Sequence, residues 1–186
     1  MNIYDDYASY LDECTEIIKM MKTSNSPLLL IINDVMTVTD SIYTKYTKKQ
    51  KLDEDTEEIF SLGFSYLSSV LSDIKTYYED YFDKSIDKLN RYSSLIISLI
   101  MLNDFKDFLE VEDVMNDDLQ KEIEELAFKI DGIIANNKQY DEEILSEVEY
   151  LIDSNTSTLE NTSFKPVYIV FALIREELEL NESTNN

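Results

Sequence analysis

Between Tyr92 and Leu102 the chain reads YSSLIISLIML, a run that is apolar on every side of a helix. The helical segments flanking it are apolar along one stripe only. Such a run needs neighbours all round, which predicts a helix at the centre of a bundle, screened from water by amphipathic partners. The 186 residues include only two glycines and two prolines, too few for the turns of an all-β fold. With 44% hydrophobic residues and 11% aromatics, the chain is too apolar to stay disordered despite 30% charge. The expected fold class is all-α. It is a single domain over residues 1–180, of about six to seven helices around Tyr92–Leu102, with residues 181–186 as a frayed tail.

Charge is the outlying property. Thirty-nine acids against sixteen bases leave −23 at pH 7. So negative a chain repels nucleic acid phosphates and anionic membrane, and its favoured partner is basic. Residues 104–153 alone hold seventeen acids and four bases, more than half of the excess. Cys14 is the sole cysteine, so no internal disulfide forms and a reducing cytoplasm is the expected setting. The N-terminal MNIYDDYASYLDE is acidic within six residues, unlike a secretion leader, so the N-x-S/T triplets at Asn155, Asn161 and Asn181 read as incidental. The apolar runs Leu95–Leu102 and Val167–Ile174 fall well short of the roughly 20 residues a membrane span needs.

Apolar spacings of three and four place a first helix over residues 2–22, with Cys14 on its buried stripe. Ser26 and Pro27 start a second helix that runs to about Lys48, although a strand over Leu28–Ile32 fits the same short run. Lys45, Lys48, Lys49 and Lys51 form the one basic patch, read as complement to a helix C-terminus. Asp53 or Asp55 caps a third helix, and Gly63 among serines marks a close approach by another helix. A break is expected at Asp83–Ser85, with Ser85 capping the central helix. The cluster Tyr77, Tyr78, Tyr81 and Phe82 reads first as the amphipathic end of the third helix and second as a contact surface, even a dimer interface. Asn116 or Asp117 caps a fifth helix that buries Leu119, Ile123, Leu126, Ala127 and Ile130 and ends at Gly132, Asn136 and Asn137. A sixth opens at Asp141, and SNTSTLENTS, from Ser154 to Ser163, is a loop before a last helix from Val167.

The absence of histidine and the single cysteine exclude zinc, haem and iron–sulfur sites, and any triad with an imidazole base. No cofactor is expected. Carboxylate chemistry remains: Glu54/Glu57, Glu110/Asp113 and Glu122/Glu125 each place two acids on one helical face, as Mg²⁺ binding requires. All-helical nucleotide pyrophosphohydrolases use ExxE followed by ExxD on the next helix. Here the order is reversed and the two pairs are too close for a separate hairpin.

Three functions follow from these features. The first is a small acidic helical interaction or inhibitor protein. Its carboxylates, chiefly Glu122, Glu124, Glu125, Asp141, Glu142, Glu143, Glu147 and Glu149, would occupy a basic surface of a partner protein. Regularly spaced acids on rigid helices imitate a phosphate array, so the partner would be a nucleic-acid-binding enzyme and the role of anti-defence or immunity type. The second is a groove that captures an amphipathic helix. A central apolar helix wrapped by amphipathic ones resembles the layout of Bcl-2-like proteins, although that family's Asn-Trp-Gly-Arg motif is absent and the chain has no tryptophan. The third is the Mg²⁺-dependent enzyme. The expected assembly is a monomer or homodimer, binding neither nucleic acid nor membrane directly.

Overall fold

The computed structural model describes residues 2–157, 159 and 163–185. Among them the fold is all-α, with eight helices and no strand. In chain order these are α1 (Ile3–Thr23), α2 (Leu29–Thr47), α3 (Glu54–Thr76), α4 (Ile86–Arg91), α5 (Ser93–Val111), α6 (Asp117–Ala135), α7 (Glu143–Thr156) and α8 (Val167–Thr184). Leu28–Ile32 is helical or turn, never extended. Helical geometry in α8 continues into the expected tail as far as Thr184.

Capping explains most of the boundaries. The side chains of Asn2, Asp53, Ser85 and Asn116 accept from the backbone N–H of Tyr4, Thr56, Lys88 and Leu119, which satisfies donors with no partner inside the helix. Ser26 acts one turn ahead of α2, its Oγ accepting from Leu28 N–H. The helices stop without glycine. Asn25, Lys49, Asp113 and Asn137 adopt positive φ after α1, α2, α5 and α6. In each case the next N–H reaches back five residues: Ser26 to Met21, Gln50 to Lys45, Val114 to Leu109 and Lys138 to Ile133. Asn137 therefore ends α6, while Gly132 lies inside the helix.

The expected break is present. After α3 the chain makes a π-helical turn, Tyr77–Tyr81, then Asp83 and Lys84 take φ of 50° and 58° before Ser85 caps α4. The expected single central helix is interrupted at Tyr92, so its first turns form α4. Of the aromatic cluster at this break, Tyr78 and Phe82 are buried and only Tyr81 is well exposed. Rings turned in at Tyr78 and Phe82 and out at Tyr81 are what the amphipathic end of a helix gives.

The helices group into two compact units, Met1–Tyr77 with Val167–Asn186, and Tyr78–Pro166. In the first, α2 is the hub, with α1, α3 and α8 packed on it. Cys14 is buried here, and burial pushes its thiol pKa up. At Gly63 the helices approach closely: a Cβ there would stand 2.4 Å from Thr39 Cγ2 and 3.0 Å from the Phe171 ring. Nearby, Tyr4 stacks on Tyr46 at 4.0 Å, and Tyr7 meets the edges of Phe60 and Phe64. The Tyr7 hydroxyl donates to Asp40 and lies 2.8 Å from Thr39 Oγ1. Of the four lysines, Lys45 is half-buried and the others are exposed around the C-terminus of α2. The second unit is built on α5, against which α4, α6 and α7 pack. Leu95, Ile96, Leu99, Ile100, Leu102, Phe105 and Leu109 are buried. Ser94, Ile97 and Met101, spaced by three and four, form its wetter side. Phe164 closes on α5 with its ring 5.1 Å from Phe105 and 5.4 Å from Phe108.

A buried phenol, Tyr7, and a half-buried one, Tyr10, make stability sensitive to alkali. Burial raises the Tyr7 pKa, with the Asp40 hydrogen bond adding to it, and burial pushes Tyr10 up to about 12. Both folded values exceed the roughly 10 of an unfolded tyrosine, so the unfolded state releases these protons first. Their contribution is complete below about pH 10 and is lost as pH climbs through the folded values. Urea midpoints measured from pH 8 to 11.5 should hold level and then fall, and Tyr7→Phe should flatten the fall. A wild-type midpoint insensitive to pH across that range would refute this.

Candidate functional site

The acidic residues of α6 and α7 are placed by two buried stripes. Leu119, Ile123, Leu126, Ile130 and Ile134 turn one face of α6 inward, and Ile144, Val148, Leu151 and Ile152 do the same for α7. Ala127, expected inside, is half-buried at the edge of its stripe. The two helices pack side by side in opposite directions, joined through residues 136–142. α7 begins two residues later than expected, at Glu143, whose N–H donates to Asp141 Oδ1 at 3.2 Å. It also runs on to Thr156, so Ser154, Asn155 and Thr156 of the expected loop are helical. Asn161 lies outside the described residues, and Asn181, like Asn155, is in a helix.

An ion pair bridges the seam. Lys129 Nζ on α6 donates to both carboxylate oxygens of Glu147 on α7, at 2.9 and 3.1 Å. The hydrogen bond to Glu147 raises the lysine pKa, which favours the charged ammonium. On either side of it the seam opens. Toward the α6–α7 turn lies a cleft of about 510 Å³, lined by Ile133, Tyr140, Asp141, Glu143 and Ile144 as well as the bridging pair. Burial raises the pKa of Tyr140, whose hydroxyl donates to the Arg91 carbonyl at 3.0 Å. Away from the turn lies a groove of about 380 Å³, lined by Glu122, Glu125, Leu126, Tyr150, Leu151 and Ser154 with the same pair.

Of the eight carboxylates expected to act together, the structure gathers five. Glu122, Glu125, Asp141, Glu143 and Glu147 line the seam. Glu124 turns instead toward α5, 4.0 Å from Lys106, and accepts from Gln120. Glu142 and Glu149 are exposed but line neither opening. Helical geometry accounts for the split. Residues 122, 125 and 129, and residues 143, 147, 150 and 154, recur at three and four, whereas 124 and 149 point about 200° from 122 and 147. Lys129, Tyr140 and Tyr150 belong to the site and were missed by reading for acids alone; the same spacing rule finds Lys129 and Tyr150. Phe128, 81% exposed on α6, is a further unheralded aromatic outside both openings.

Among the described residues no three cysteine or carboxylate side chains converge to hold a metal ion. No described helix is long and apolar enough to cross a membrane. Comparison with protein-family models, with curated proteins and with solved structures gave no match to this chain.

Proposed function

We propose that this protein is an acidic interaction protein that uses the α6–α7 face to occupy a basic surface of a partner, as a nucleic-acid mimic blocking a nucleic-acid-binding enzyme would. The observation that supports this reading is the row of carboxylates along the seam. Glu122, Glu125, Asp141 and Glu143 are all exposed, and they flank the Lys129–Glu147 pair, three on two antiparallel helices and Asp141 at the turn just before α7. Rigid helices hold these charges at set spacings, so a basic surface meets them with little ordering cost. Association should be fast and sensitive to salt, because screening shortens from about 10 Å at 0.1 M to about 3 Å at 1 M. A reducing cytoplasm is the proposed setting, consistent with the single buried Cys14.

The test is an affinity pull-down from nuclease-treated lysate at low and high salt, with bound proteins identified. The variant beside it carries Glu122→Lys, Glu125→Lys, Asp141→Lys and Glu143→Lys. These four are solvent-facing, so its helical circular dichroism should match the wild type. Glu147 is left intact because it holds Lys129. Recovery of one basic, nucleic-acid-handling protein by the wild type, lost at high salt and at least tenfold weaker with the variant (about 1.4 kcal/mol), is the expected result. A partner retained at high salt and by the variant would overturn it in favour of apolar helix capture.

A further inference from the structure

The groove on the far side of the Lys129–Glu147 pair has an open aromatic wall, whereas Tyr140 in the cleft toward the turn is half-buried with its hydroxyl held by the Arg91 carbonyl. Its floor is Leu126 and Leu151, both buried, and its rim carries Glu122 and Glu125. Tyr150 lines it while remaining 75% exposed, so much of its ring is open to a ligand. Glu147 is committed to Lys129. Glu125 has only an exposed pair with Lys121 at 3.7 Å, worth little in water. The groove therefore offers a tyrosine face, a short apolar floor and exposed carboxylate acceptors, of which Glu125 is held only by a solvent-screened pair.

We infer that this groove takes an arginine side chain of the partner, in preference to lysine, so that the partner's binding segment is arginine-rich. This rests on the acidic-face reading and deepens it. A guanidinium is planar and weakly hydrated, so it stacks on a tyrosine ring while donating sideways to carboxylates, and its methylene stem covers Leu126 and Leu151. An ammonium satisfies the carboxylates but keeps its water shell and gains little from the ring.

The experiment is calorimetric titration of the full chain at low salt with octa-arginine and octa-lysine peptides. Octa-arginine should bind about three- to tenfold more tightly. Tyr150→Ala should bring it down to the level of octa-lysine, whose own affinity changes by less than about twofold. Phe128→Ala, equally exposed but outside the groove, should leave the preference intact. Equal affinities for the two peptides, a preference that survives Tyr150→Ala, or one lost equally with Phe128→Ala would overturn the inference. In the first of these cases the acidic-face reading still stands. That reading fails separately if neither peptide binds, or if both bind the four-lysine variant as tightly as the wild type.

Discussion

Replacing Ile96 by alanine should cost about 2–5 kcal/mol of folding stability, a large share of the roughly 5–15 kcal/mol a domain possesses. Ile96 has no exposed surface, and it lies on α5, the helix on which α4, α6 and α7 all pack. Removing three of its carbons loses the transfer free energy of those atoms and leaves a cavity that four helices cannot close together. Ile97, next in sequence but on the half-exposed side of α5, supplies the control. Ile97→Ala should cost clearly less, because water already reaches part of its side chain and can fill the space. Urea denaturation followed by far-ultraviolet circular dichroism measures both. Equal losses at 96 and 97 would mean that α5 is not buried as described.

Alanine at the two glycines should move stability in opposite directions. Both lie within helices, where alanine is intrinsically better by about 0.5–1 kcal/mol. At Gly132 nothing stands within 4 Å of the added methyl, so Gly132→Ala should realise that gain. At Gly63 the methyl would meet Thr39 Cγ2 at 2.4 Å, and Thr39 cannot swing away cheaply. Its hydroxyl is 2.9 Å from the Val35 carbonyl and 2.8 Å from the Tyr7 hydroxyl, at a fully buried position. On the far side the Phe171 ring of α8 is equally enclosed. Overpacking of this kind typically costs about 1–3 kcal/mol, enough to reverse the helix-propensity gain, so Gly63→Ala should lower the denaturation midpoint. A rise for both variants would show that α2, α3 and α8 pack loosely enough to part.

The elements themselves were legible because their determinants are local. Three-and-four spacing of apolar residues located most helices to within a few residues, though not the interruption between α4 and α5. The caps were narrowed to Ser85, to Asp53 or Asp55 and to Asn116 or Asp117, because capping involves neighbours two or three residues away. Gly63 announced a close approach for the same reason: a glycine with Ser61, Ser65, Ser68 and Ser69 around it leaves a helix surface that another helix can come near. Helix ends were harder. Lys49, Asp113 and Asn137 accept positive φ in place of glycine, and nothing in their identity demands it. Gly132, which looked like a stop, is an ordinary helical residue.

The acidic site was half legible. Composition alone locates the carboxylates in residues 104–153, and charge of that sign and density repels phosphates. Composition does not say which acids share a face with which, since that depends on how α6 and α7 are rotated against α5. Tertiary packing decided that Glu122, Glu125, Asp141, Glu143 and Glu147 share a seam while Glu124 turns toward Lys106. It also decided that helices remote in sequence, α2 with α8, would pack, and that α5 would serve as hub of one compact unit while α2 serves another. The physical reason is range. Periodicity, capping and net charge are set within a few residues of the chain or summed over all of it, whereas the pairing of faces is chosen by which apolar stripes bury each other best, a property of no single segment.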